Sequence, residues 1–280
     1  MILSRRWWAL VGALAAPPLP GAEPAADPPP AQRIVTLAPH LAELVHAAGA
    51  GDRLVGVSDW SDYPPGVAAL PRVGSAVQVD LETLVTLAPD LVLGWQGGNP
   101  ARLLRQVEEQ GFRLVVFGVE TLEDIGAQIE AIGRLAGTAE PAAAAAARYR
   151  DELAALRLEH DGKTEVRVFY QVSWRPLYTI GGRQVISQVI SLCGGRNIFG
   201  EQETLAPAVG LEAVVARDPQ VILASAGQAG ELAPWRRWSE VAAVAGGNLY
   251  TVPGDLLARP SPRILDGARA VCAALDEARR

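Results

Sequence analysis

The chain is poor in side chains that do covalent chemistry. Its three histidines are His40, His46 and His160. Two metal ligands on one helix need a spacing of three or four to share a face. His40 and His46 are six apart, so they do not make a two-histidine site. His160 ends a long helical stretch and reads as solvated. His40 follows the first predicted strand, where loops carry function, and is a candidate to touch a ligand. There is no Gly-x-Ser-x-Gly elbow, no Gly-x-x-x-x-Gly-Lys phosphate cradle and no His-Glu-x-x-His pair. The residues argue against an enzyme and against a resident metal, and for a protein that binds.

Aromatic residues suggest what it binds. They make up only 6% of the chain, yet Trp60, Tyr63, Trp95, Trp174 and Tyr178 all fall just after predicted strands. Flat rings give large apolar area with a polar handle, which suits a big planar ligand. Tyr63 and Trp95 lead as ligand contacts, with Trp174 and Tyr178 behind them; a lone Trp otherwise packs in a core. Glu82 and Glu212 recur at matching places near the starts of two short helices, where the helix dipole favours a carboxylate. Their symmetry suggests two acidic knobs that dock on a two-fold partner carrying arginines.

The elements that must hold these residues alternate. Strands are expected at Ile34–Leu37, Leu54–Val57, Leu91–Leu93, Arg113–Phe117, Val166–Gln171, Val221–Leu223 and Leu249–Val252. Helices are expected between them, including Leu81–Leu87 with Asp80 as N-cap, Val185–Leu192, Pro234–Ala243 and Ser261–Ala278. This rhythm gives an α/β fold with mostly parallel sheets. Six alanines at Ala142–Ala147 start a long stiff helix. Val79–Gly94 and Val209–Ala224 align as a repeat, and so do Gly51–Gly56 and Gly195–Gly200. Two similar lobes, 33–138 and 163–280, are therefore expected on a connecting helix, 139–162. A rigid helix allows little closure, and ligands favour the cleft between such lobes.

The N-terminus carries Arg5 and Arg6, then the uncharged run Trp7–Ala16, then small residues. Ten apolar residues reach about half of the roughly 20 that span a bilayer, so 1–22 reads as a cleaved signal peptide and 23–32 as a disordered leader. Export puts Cys193 and Cys272 in an oxidising compartment, where a pair suggests a disulfide; two buried thiols are the alternative. A formal net charge of −6 disfavours nucleic acid and anionic membranes as partners.

Five segments carry a family resemblance: Ile34-Val-Thr-Leu-Ala-Pro39, Ser61-Asp-Tyr-Pro-Pro65, Pro89-Asp-Leu-Val-Leu-Gly-Trp95 with Gly97-Gly-Asn99, Cys193-Gly-Gly-Arg-Asn-Ile-Phe199, and Ser261-Pro-Arg-Ile264. The chain resembles the periplasmic cobalamin-binding proteins of ABC importers. The resemblance implies a monomeric, rigid bilobed receptor of the helical-backbone type, with a corrinoid held between the lobes as cargo and no cofactor. It implies ligand contacts at Tyr63, Trp95 and Asp255, docking of Glu82 and Glu212 on arginines of an inner-membrane permease dimer, and a Cys193–Cys272 disulfide. Two tryptophans of the family pattern are replaced by Ala76 and Ala206. Haem, cobinamide or a ferric siderophore on the same fold is the alternative.

Overall fold

The computed structural model describes residues 28–226 and 229–280. The expected signal peptide lies outside the described residues, as do residues 23–27 of the leader. Residues 28–32 are not a free leader: Ala31 is buried and its N–H donates to the Leu135 carbonyl at 2.8 Å.

The first lobe runs through β1 (Ile34–Thr36), α1 (Pro39–Ala47), β2 (Leu54–Val57), a two-strand hairpin β3 (Gly74–Ser75) and β4 (Gln78–Val79), α2 (Leu81–Leu87), β5 (Leu91–Trp95), α3 (Ala101–Glu109), β6 (Leu114–Phe117) and α4 (Leu122–Ala136). Its sheet order is β2-β1-β5-β6, all parallel. Sequence signals explain the helix ends. Asp80 accepts from the Thr83 N–H at 3.0 Å and caps α2. Thr121 and Asp124 form a capping box on α4, and Gly137 ends it in the left-handed conformation.

The spine α5 (Ala139–His160) follows at once and lies against α4. Gly133 permits that approach, since a Cβ there would sit 2.2 Å from the Ala142 Cβ. The second lobe comprises β7 (Val166–Gln171), the hairpin β8 (Ser173–Trp174) and β9 (Leu177–Tyr178), α6 (Val185–Leu192), β10 (Gly195–Asn197), α7 (Leu211–Arg217), β11 (Val221–Ser225), α8 (Ala242–Ala245), β12 (Leu249–Val252), α9 (Gly254–Ala258) and α10 (Ile264–Ala278). Its sheet order, β10-β7-β11-β12, is again all parallel and repeats the first lobe's pattern.

Two sequence expectations shift, and one hairpin was not expected. The repeat of Gly51–Gly56 with Gly195–Gly200 pairs the right edge strands in the wrong register: β10 occupies Gly195–Asn197, ahead of the segment aligned with β2. The helix expected over Pro234–Ala243 is a 3₁₀ stretch, Ala229–Arg237, and the short α8. Pro234 supplies no N–H, and Trp235 is drawn fully into the core, where its indole donates to Gln171 Oε1 at 2.7 Å. The β8–β9 hairpin has strands of two residues, too short to show a period of two.

Side chains alternate across each sheet. Val35, Leu37 and Val92 face a cluster on the outside of the first lobe; Phe169, Ile222 and Ala224 face its counterpart on the second. The opposite faces, with Ile34, Leu91, Leu93, Val168, Tyr170 and Leu223, belong to one continuous core. That core includes α1, α4, α5, α6 and α10, so apolar packing runs from lobe to lobe without a break. A hinge motion would have to open it. Cys193 and Cys272 are bonded, with Cα atoms 4.7 Å apart, and fasten the end of α6 to α10.

Candidate functional site

The loops at the carboxyl ends of the two sheets meet across the seam between the lobes, where ligands of open α/β sheets sit. From the first lobe come the loops after β2, β5 and β6; from the second, those after β7, β10 and β12. Arg183 pairs with Glu120 at 3.0 Å, and Leu205 reaches over Gly97. A cavity of about 460 Å³ opens there, lined by Gln96, Gly97, Gly118 and Glu120 from one lobe and Arg183 and Leu205 from the other. A larger groove, about 730 Å³, lies elsewhere beside the end of the spine. Its cations Arg157 and Lys163 are already paired with Glu123 and Asp276, so neither is left free for an anionic ligand.

Trp95 ends β5 and stands at this seam. The glycines after it are a steric requirement. A Cβ at Gly98 would fall 1.8 Å from the indole carbon Cε3, and Gly97 takes φ +92°. Asn99 is buried and ties three chain ends together. Its Oδ1 accepts from the Trp95 N–H at 2.6 Å, and its Nδ2 donates to the Leu37 and Ala76 carbonyls at 3.0 and 2.8 Å. The Trp-x-Gly-Gly-Asn run is thus the code for a fixed indole.

His40 lies behind that indole. Its ring meets Trp95 edge-on, with centroids 4.9 Å apart, and only 2% of the residue is exposed. It supports the indole from within the core, which corrects the expectation of a cleft-facing side chain. Burial, and then the positive charge of Arg259, push the imidazole down to about 3, and Nε2 has no hydrogen-bond partner among the described residues.

Tyr63 is 42% exposed on the loop after β2, and its phenol ring lies over Arg263 of the second lobe. Tyr178, on β9, is also part-exposed and bridges to Ala208; the next N–H, of Thr179, donates to the Pro207 carbonyl at 3.1 Å. The two missing tryptophans therefore fall beside rings that are present: Ala76 touches the Trp95 turn through Asn99, and Ala206 lies next to the Tyr178 strand. Trp174 does not fill either gap. Its ring packs edge-on against Trp235, centroids 5.5 Å apart, in the outer cluster of the second lobe. Asp255 is exposed in the first turn of α9, beyond the carboxyl end of β12. Trp60, 81% exposed with φ +63°, is displayed on the Tyr63 loop.

Sequence reading missed the group that joins these loops. Glu43 on α1 is buried at the seam. It accepts from Ser261 Oγ at 2.5 Å, from Arg263 Nε and Nη2 at 2.9 and 2.7 Å, and from Arg259 Nη1 at 3.5 Å. Arg259 also binds the Asp62 carboxylate and donates to the Trp60 carbonyl at 3.1 Å. The signal was present: Glu43 is the one acid in the apolar helix Pro39–Ala47, and Ser261 and Arg263 belong to one of the resemblance motifs.

Glu82 and Glu212 both lie in the first turns of their helices, α2 and α7, each of which ends in a left-handed residue, Ala88 or Asp218. Both carboxylates are exposed, and neither makes an ion pair among the described residues. No cluster of His, Cys, Asp and Glu among the described residues is arranged to hold a metal ion.

A pair of parallel-sheet lobes, locked by a helical spine and meeting through their strand-end loops, defines a bilobed binding protein. The chain belongs to the periplasmic binding protein family, whose model matches residues 34–256. Within that family it is similar to the vitamin B12-binding protein of Vibrio cholerae, at 39% identity over 91% of this chain and 93% of the relative. It is similar also to that of Pectobacterium carotovorum, at 36% identity over 87% and 88%. The solved periplasmic vitamin B12 binding protein BtuF of Vibrio cholerae superposes with a TM-score of 0.85, covering 90% of this chain and 99% of that one. A periplasmic heme-binding protein from Roseiflexus sp. RS-1, 22% identical, shares the fold at a TM-score of 0.78 over 89% and 99%.

The position of His40 sets a pH dependence. Its folded-state pKa lies below its unfolded value, about 6.5. As the pH falls below 6.5 the unfolded chain takes up a proton that the folded chain refuses, so stability is lost down to about pH 3. At pH 5 this amounts to about 2 kcal/mol. Denaturant unfolding of wild type and His40→Gln at pH 7 and pH 5 measures it. The variant should lose about 2 kcal/mol less than wild type between the two; equal losses would contradict the buried neutral imidazole.

Proposed function

We propose that this protein captures cobalamin in the periplasm and delivers it to an ABC importer of the inner membrane, binding its cargo without chemistry. The observation that carries the reading is the cross-lobe aromatic site: Trp95 fixed by Asn99 and Tyr63 backed by Arg263, at one seam. Flat apolar walls with polar atoms at their margins match a corrin ring fringed by amides. Asp255 would serve the fringe and Tyr178 the wall opposite Trp95. Similarity to vitamin B12-binding proteins over nine-tenths of the chain supports the same cargo. The exposed, unpaired Glu82 and Glu212 would dock on cationic side chains of a permease dimer, one on each half, with the receptor acting as a monomer.

Titration calorimetry of the oxidised protein with cyanocobalamin tests the cargo. One-to-one binding is expected, weakened about thirtyfold or more by Trp95→Ala, as for a buried aromatic hot spot. No binding of cyanocobalamin alongside tight binding of haem or a ferric siderophore would overturn the reading.

Docking is tested separately. The double variant Glu82→Lys/Glu212→Lys should keep wild-type affinity for cyanocobalamin and lose uptake in cells. Unimpaired uptake would sink the docking role.

A further inference from the structure

Tyr63 belongs to the first lobe, yet the group that covers one face of its ring comes from the second. The guanidinium carbon of Arg263, at the N-cap of α10, stands 3.8 Å from the ring centroid. That guanidinium is not free to move. Its Nε and Nη2 form a two-pronged contact with Glu43 at 2.9 and 2.7 Å, and the same carboxylate is held by Ser261 Oγ. Two parallel N–H donors on one carboxylate fix the plane of the guanidinium as well as its position. Glu43 itself sits in α1, whose neighbours Leu41, Ala42, Leu44 and Val45 are fully buried.

The Tyr63 loop has a second grip, on its backbone and rim. Arg259 donates to the Trp60 carbonyl and binds Asp62, so the loop is held on either side of residue 61 by the second lobe. Arg259 therefore places the loop, and Arg263 places the ring. An exposed tyrosine on a loop would otherwise sample several rotamers, and ordering it on binding would lower affinity.

We infer that Arg263 is the positioning residue for Tyr63: from the opposite lobe it presets the ring as a ligand wall, through a cation–π contact that Glu43 holds in place. The inference rests on the reading of the seam as a corrinoid site. Arg263 need not touch the ligand. It occupies one ring face and leaves the other to a planar guest. A lysine would keep the charge near Glu43 but would lose the planar stack.

A double-variant cycle tests this. Cyanocobalamin affinity is measured for wild type, Arg263→Lys, Tyr63→Leu and the double variant, with unfolding midpoints for all four. Arg263→Lys should weaken binding about tenfold when Tyr63 is present and less than about twofold when it is leucine. Equal losses in both backgrounds would assign Arg263 a general structural role and overturn the inference. A second readout needs no ligand. In ring-labelled tyrosine NMR spectra, the Tyr63 signals, assigned by their loss in Tyr63→Leu, should shift on Arg263→Lys. Unchanged signals would overturn the positioning role. If wild type binds no cyanocobalamin, the cargo reading fails, and the NMR comparison still decides whether Arg263 sets the ring.

Discussion

Glu43 carries a carboxylate into the seam between the lobes, where water has little access to it. An isolated charge there would be costly; this one is matched by a guanidinium fork, a hydroxyl and a second arginine, all from the opposite lobe. Such a site stabilises little against an apolar alternative, but it has one geometry. It fixes where the end of the second lobe lies against α1, and through Arg259 and Arg263 it fixes the loop that carries Trp60, Asp62 and Tyr63. The continuous core along α1, α4, α5, α6 and α10 opposes separation of the lobes; the Glu43 cluster opposes sliding.

This division explains how a rigid receptor can serve. With the lobes joined through one continuous core, the walls of the proposed site would have to stand where a ligand needs them before it arrives. Trp95 is set from its own lobe, by Asn99 in front and His40 behind. Tyr63 is set from the other lobe, by Arg263. Ala76 and Ala206 sit at the margins of these settings and take nothing from them. In the proposed site, the loss of two rings would fall on contact area and leave the settings of Trp95 and Tyr63 in place.

Much of the fold was legible because its signals are local. Capping by Asp80, the stop at Gly137 and the apolar runs of β5 and β11 place elements within a residue or two. The internal repeat gave the two lobes and the matched pair Glu82 and Glu212. What was not legible depends on partners distant in sequence. Glu43 and Arg263 are 220 residues apart, and nothing local says that one needs the other. His40 follows β1 as a ligand residue would, but its helix turns it inward beneath Trp95. Trp174 follows β7 in the same manner, but a hairpin too short to read turns it onto Trp235. Position after a strand selects the neighbourhood of the site; the packing of the next few residues decides which side chains face it.

Fixed spacing between the lobes is the central claim, and a distance measured across them tests it most directly. Nitroxide labels on Thr86→Cys and Ala216→Cys, exposed positions of α2 and α7, report it by pulsed electron resonance, with the native cysteines held in their disulfide. One narrow distance is predicted, moved by less than about 2 Å when cyanocobalamin is added, as in preorganised complexes. A second population in the free protein, or a larger shift on binding, would contradict the fixed seam and return the protein to a closing, hinged mode of capture.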